Sequence, residues 1–150
     1  MNYELLNRNK NINRGFRKLE VWQEAIELFA IVKHQLDGLK SVSFKVKTQI
    51  EDSILSVSSN IAEGYSRRSI KENIQYVTIS LASLSENYTQ IFALLNAGVL
   101  NRSWFDEYDN KLYSLENKLI QLNRSMIAKL GQNDWQNDYK VRELITPYKS

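Results

Sequence analysis

Apolar residues recur three and four positions apart along most of the chain, a spacing that predicts helices rather than the alternation of strands. From Leu19 to Asp37, Trp22, Ala25, Ile26, Phe29, Val32 and Leu36 share one face. From Phe44 to Glu63 the stripe is Val46, Ile50, Ile54, Val57 and Ile61. A third helix starts at Ser69, with Glu72 three residues on as a capping box. Its seam, Ile74, Val77, Leu81, Leu84, Tyr88, Ile91 and Leu95, is unbroken. A fourth starts near Ser103, with the seam Phe105, Tyr108, Leu112, Leu115, Leu119, Leu122 and Met126. Tyr113, Ile120 and Ile127 are expected to widen that seam to the breadth of a bundle core.

Glycines punctuate these segments: Gly15, Gly38, Gly64, Gly98 and Gly131, with Pro147 the only proline. Each reads as a helix stop, since glycine readily takes the left-handed position that ends a helix. The short loops at 64–68 and 98–102 make sequential helices antiparallel neighbours. The expected fold is therefore all-α, an up-down-up-down four-helix bundle over residues 17–131. An asparagine-rich basic arm (1–16) and an extension (132–150) look like appendages to it.

Some apolar residues lie off the seams: Ile31 on the first helix, Leu55 on the second, Tyr76, Ile79 and Leu94 on the third. Several such residues on three helices suggest a second buried surface, and hence self-association. The other reading is ordinary scatter, or cover by the C-terminal segment with Trp135 and Tyr139.

At 150 residues the chain fits one domain with a sizeable core. It has no cysteine, which excludes a disulfide scaffold, a thiolate metal site and a cysteine nucleophile. No apolar run approaches the roughly 18 residues of a membrane span. The N-terminus has no apolar signal region, so a cytoplasmic protein with no membrane partner is expected. Net charge is +3, unevenly spread. Residues 1–18 hold Arg8, Lys10, Arg14, Arg17 and Lys18 against Glu4, a balance of +4, which leaves −1 for the rest. A basic tail argues less strongly for nucleic acid than a basic face on a folded domain does.

Catalytic chemistry finds little support. Di-metal bundles need a Glu-x-x-His pair on two helices, and His34 is the only histidine, with Ile31 three residues before it. There is no phosphate loop and no nucleophile elbow. The neighbouring carboxylates Glu51–Asp52 and Asp106–Glu107 point about 100° apart on a helix and do not converge. No enzyme, no metal, no cofactor and no small-molecule substrate are expected.

The stretch from Ser56 to Gln75 is the most informative. Ser53, Ser56 and Asn60 flank the second apolar stripe and need partners, across helices or across a subunit boundary. Glu63 opposes the helix dipole in the last turn. An arginine contact, from Arg67 or Arg68, would relieve it and brace the turn. The alternative leaves both arginines to a partner. With Lys71 they set three cations beside the third helix's N-terminus, which reads either as an anion site or as a solvated loop.

Residues Lys18-Leu19-Glu20-Val21-Trp22-Gln23, Gln49-Ile50, Ser59-Asn60-Ile61-Ala62-Glu63-Gly64, Arg67-Arg68-Ser69 with Lys71-Glu72 and Gln75, and Ser83-Leu84-Ser85-Glu86 with Thr89-Gln90 resemble the 23S rRNA-intervening-sequence family of bacterial proteins. The match runs in order from about residue 17 to 130. The resemblance implies a four-helix bundle assembling as a ring-like homopentamer, with no enzymatic activity. It also implies structural roles for the motif residues Trp22, Asn60, Glu63 and Gly64. A distant relative of the family assists a reverse transcriptase through a basic surface that contacts nucleic acid. This chain departs from the pattern at Glu51 and Asp52, where the family usually has two basic residues, and at Ser58, where it usually has proline. The reversed charge weakens a nucleic-acid surface on the second helix, and could supply the acidic half of an intersubunit pair.

The leading expectation is an oligomeric module that binds RNA or DNA weakly and without sequence preference. Its candidate contacts are Arg8, Lys10, Arg14, Arg17, Lys18, Arg67, Arg68 and Lys71. The alternative is a protein-interaction scaffold or accessory subunit that binds no nucleic acid.

Overall fold

The computed structural model describes residues 1–131, and the extension at 132–150, with Trp135 and Tyr139, lies outside them. The described residues hold helices and no strand. A short α1 (Tyr3–Leu6) and a 3-10 helix (Ile12–Lys18) lead into four long helices. These are α2 (Glu20–Asp37), α3 (Phe44–Ser66), α4 (Ile70–Asn96) and α5 (Arg102–Gly131). None is long and apolar enough to cross a membrane.

Side-chain caps set where α3, α4 and α5 begin, whereas α2 starts after Leu19 without one. Ser43 Oγ accepts from the Val46 amide at 3.3 Å, and Ser69 Oγ from the Glu72 amide at 3.5 Å. The fourth long helix begins one residue earlier than the Ser103 pattern suggests. Asn101 Oδ1 accepts from both the Ser103 amide (2.8 Å) and the Ser103 hydroxyl (2.6 Å), so Asn101 is the cap.

The glycines end helices in different ways. Gly98 has φ +77° and closes α4 as expected. Its amide donates to Leu95 O at 3.0 Å and the Val99 amide to Leu94 O at 3.2 Å, the paired bonds of a left-handed C-terminal cap. Gly38 also follows a helix, but with φ −80°, so no left-handed position is used there. Gly64 is not a stop at all. It is buried inside α3, which continues to Ser66. A Cβ at Gly64 would lie 2.7 Å from Tyr76 Cβ and 2.9 Å from Asn73 Oδ1, so glycine is there to let α4 approach.

α2 packs on α3 and α5, and α4 packs on the same two helices. The core between them takes Ala25, Leu28, Val32 and Leu36 from α2, and Ile50, Ile54, Val57 and Ile61 from α3. Val77, Leu84 and Ile91 of α4 meet Phe105, Tyr108, Leu112, Leu115, Leu119 and Met126 of α5. Fully burying one such large side chain is worth about 1.5–3 kcal/mol. The predicted seams on α3, α4 and α5 hold, apart from Val46 at the start of α3, which is 38 % exposed. On α2 the buried line also includes Val21 and Leu28, while Trp22 and Phe29 are half-buried beside it. The expected widening of α5 does not occur. Tyr113, Ile120 and Ile127 are 63 %, 37 % and 55 % exposed, because the core-facing arc of α5 is already filled by residues one position away.

The α3–α4 contact carries a row of buried polar side chains beside its apolar ones. Asn87 is fully buried; its Nδ2 donates to Ile50 O (3.1 Å) and Ser53 Oγ (3.0 Å). Its Oδ1 accepts from the Tyr108 hydroxyl of α5 at 2.6 Å. Ser53 also donates to Gln90 Oε1 (2.7 Å), Ser80 to Val57 O (3.0 Å), and Ser56 and Ser83 share a bond of 2.9 Å. Asn60 bonds back to Ser56 on its own helix. Of the small polar residues flanking the second stripe, Ser53 and Ser56 thus find partners across helices, and Asn60 on its own helix. Burying them is tolerable because their bonds are made.

Candidate nucleic-acid interface

Four of the five asparagines in the basic arm have a local task. Asn2 Oδ1 accepts from the Leu5 amide at 3.4 Å and starts α1. Asn7 Nδ2 donates to Tyr3 O at 3.1 Å. Asn9 takes φ +48°, a left-handed position that asparagine tolerates better than most residues. Asn11 Oδ1 accepts from the Arg14 amide at 3.1 Å and starts the 3-10 helix.

Arg17 ties this arm together. Its Nη1 donates to Leu5 O at 3.1 Å, and its Nη2 to Arg8 O at 2.8 Å and Asn9 O at 3.2 Å. Arg14 Nη1 adds a bond to Asn9 O at 3.2 Å. The arm is docked on α2 by Gln23 Nε2, which donates to Arg17 O at 2.8 Å, and by an edge-to-face contact of Phe16 on Trp22 with centroids 5.3 Å apart. The 3-10 helix also touches α3, and its Gly15 is buried. The segment that read as a tail is folded onto the helices, so its +4 charge belongs to a surface.

The second basic cluster lies at the turn between α3 and α4. Arg67 is turned back, as the dipole argument anticipated. Its Nη2 donates to Glu63 Oε1 and to the Tyr76 hydroxyl, both at 2.6 Å, and its guanidinium sits 4.9 Å over the Tyr76 ring. Glu72 is 3.9 Å away. The arginine bond holds the Glu63 carboxyl below its ordinary pKa, and the neighbouring carboxylate raises that of the Tyr76 phenol. Arg68 and Lys71 are exposed and form no bond to a described residue. Of the three cations beside the start of α4, which read either as an anion site or as a solvated loop, two are thereby left.

Helix register brings the two clusters to one end. Lys118 of α5 bonds to Glu20, at 2.6 Å, and to Glu24 at the start of α2. Asn123 of α5 bonds to Thr78, early in α4, at 3.1 Å. The start of α2, the end of α3, the start of α4 and the last turns of α5 therefore share one end with the arm. Arg124 and Lys129 of α5 belong to it too, and the charge pattern gave no reason to single them out.

Other candidates fall elsewhere. His34 is exposed on the far half of α2. Glu51, whose charge suggested an intersubunit pair, bonds within the chain to Lys33 of α2 at 3.1 Å, and Asp52 is exposed. Among the self-association candidates, Leu55 and Ile79 are exposed, whereas Ile31, Tyr76 and Leu94 are half-buried. Among the described residues no cluster of histidines and carboxylates could hold a metal. A groove of about 300 Å³ between α2 and α5 is lined by Glu24, Glu27, Leu28, Ile31 and Lys111.

Residues 17–121 match the family model described as 23S rRNA-intervening sequence protein. The chain belongs to that family. No curated protein matches it. In this member of the 23S rRNA-intervening family, the motif residues act on packing. Trp22 holds the arm, Asn60 bonds along the α3–α4 seam, Gly64 admits Tyr76, and Glu63 anchors Arg67. Arg67 and Arg17, both candidate ligand contacts, are largely spent on intramolecular bonds. Among the candidate contacts, the side chains of Arg8, Lys10, Arg68 and Lys71 make no bond to a described residue.

Proposed function

We propose that the chain is a non-catalytic, up-down-up-down four-helix bundle that assembles into a ring-like homo-oligomer in the cytoplasm and binds RNA or DNA weakly through one basic end. The observation that carries this reading is the folded arm. The five cations of residues 1–18 lie at the same end as Arg68 and Lys71, so phosphates are offered a fixed surface rather than a tail. Arg8, Lys10, Arg14, Lys18, Arg68 and Lys71 contact phosphates; Arg17 and Arg67 hold the shape of that surface. Binding is without sequence preference, because nothing in the set is arranged to read base edges. Leu55 and Ile79, exposed on α3 and α4, supply part of the contact between copies. The homopentamer is what family membership suggests.

Fluorescence anisotropy with labelled RNA and DNA at low salt tests the ligand, and light scattering tests the assembly. Absence of binding at low salt would overturn the first part, and a strictly monomeric mass at high concentration the second. A second reading, a protein-interaction scaffold, is favoured by the exposed line Tyr113, Ile120 and Ile127 on α5, spaced seven residues apart. A pull-down that recovers a defined protein and no nucleic acid would select it.

A further inference from the structure

Between α1, the 3-10 helix and the start of α2 lies a cleft of about 120 Å³. Lys10, Arg14, Arg17 and Lys18 line it, together with Gln23 and Asn7, and no described lining residue is acidic. That volume is well above the ~10–15 Å³ a single water needs, and of the order of one small oxyanion. Like charges around so small a space repel one another, since two unit charges 4 Å apart interact by about 4 kcal/mol at an effective dielectric of 20. Yet the fold draws them together: Arg17 is fixed by three carbonyls, and Arg14 shares one of them, Asn9 O. The Arg17 Nε is buried and bonds to no atom of a described residue, so the guanidinium is held by its two terminal nitrogens alone. A buried donor without an acceptor costs about 1–3 kcal/mol.

We infer that this cleft is a phosphate-binding site, taking a single phosphate group. Arg17 is the immobile wall, Arg14 carries N–H groups beyond the one given to Asn9 O, and Lys10 closes the site as the mobile cation. Asn7 and Gln23 flank it with amide groups. A phosphate accepts from Lys10 and from the N–H groups Arg14 has left, and neutralises the cluster. The site favours a dianionic phosphomonoester over a diester, because the second charge and third terminal oxygen match a multi-cation cleft. Within the nucleic-acid reading, on which this part rests, the favoured group is the 5′-phosphate at the end of a strand rather than its backbone. Free inorganic phosphate has the same chemistry.

The test has two arms, both on the full chain. In the first, inorganic phosphate is titrated at constant ionic strength while amide resonances are followed by NMR. Saturable shifts confined to residues 7–18 and Gln23, weakened about tenfold in Lys10→Gln, are expected, a loss equivalent to one charge-assisted bond. Lys10 makes no bond to a described residue, so that variant keeps the fold, and circular dichroism verifies it. No saturable shift, or shifts unchanged in Lys10→Gln, would overturn the site. In the second arm, 5′-phosphorylated and 5′-hydroxyl forms of one oligonucleotide are compared by anisotropy. A preference for the phosphorylated form of about tenfold, lost in Lys10→Gln, assigns the site to strand ends. Inorganic phosphate shifts without binding of either oligonucleotide would keep the site, assign it to the free ion, and remove the nucleic-acid reading. Equal binding of the two oligonucleotides would overturn the strand-end assignment.

Discussion

Replacing Gly64 by alanine sets two opposed effects against each other. In a helix interior, alanine is favoured over glycine by about 1 kcal/mol, so propensity alone predicts a more stable protein. Packing predicts the reverse. The new Cβ would stand 2.7 Å from Tyr76 Cβ, 2.9 Å from Asn73 Oδ1 and 3.3 Å from Asn73 O. Two of these atoms are backbone or directly attached to it, so relief requires α3 and α4 to move apart. Overpacking of this kind costs about 1–3 kcal/mol. The same movement strains the Arg67 bond to Tyr76 and the serine bonds further along the seam. The net expectation is a loss of about 1–2 kcal/mol, which for a domain of this size lowers Tm by roughly 3–6 °C. Thermal denaturation followed by circular dichroism, at one protein concentration because assembly is linked to stability, measures it. Gly38→Ala is the control: its nearest neighbour is Gln35 O at 3.5 Å, and its φ of −80° suits alanine, so little change is expected. A Gly64→Ala protein as stable as the parent, or more stable, would refute the close-approach role.

Further outcomes follow from the same contacts. Asn87→Ala strips the Tyr108 hydroxyl and Ser53 of buried partners, and should cost about 2–4 kcal/mol in urea denaturation, the sum of a cavity and unmade bonds. Arg17→Lys cannot reach three carbonyls at once, so limited proteolysis should cut within residues 1–18 faster while the core melts nearly unchanged. Burial holds the Tyr108 phenol far above its ordinary value of 10.0. Its contribution to stability is therefore present below pH 10.0 and lost as pH rises above it. Tyrosinate absorbance should show one tyrosine that ionises only on unfolding. Glu63 behaves oppositely: its pKa is lowered, so the Arg67 contact persists above the ordinary carboxylate value of 4.5 and is lost on acidification below it. Glu63→Gln should flatten that part of the stability–pH curve.

The long helices were legible because their apolar residues follow one period over about five to eight turns, and the bundle interior has no other way to be filled. What misled was residues with two uses. Gly64 carries the same signal as Gly98, yet one ends a helix and the other admits a neighbouring backbone; only the position of Tyr76 separates them. Ser103 followed by Asp106 looks like a cap, but Asn101 sits closer to the first unsatisfied amides. Tyr113, Ile120 and Ile127 keep a helical register with the seam, and nothing in their spacing reveals that the partner helices do not reach them. At the candidate interface, the Glu63–Arg67 contact was legible because both partners lie one turn apart on the same helix end. Arg17 was not, because its partners are the carbonyls of residues 5, 8 and 9, groups every sequence has. The arm's asparagines suggested an appendage, since capping and looseness share a composition.

The salt dependence of nucleic-acid binding tests the central claim most directly. Measured by anisotropy across a series of salt concentrations, the slope of log K against log salt counts the phosphates engaged. Neutralising Arg68 and Lys71 together should flatten that slope by about 2, and His34→Ala, on the far half of α2, should leave it unchanged. An unaltered slope in the double variant, or no binding at the lowest salt, would contradict the account.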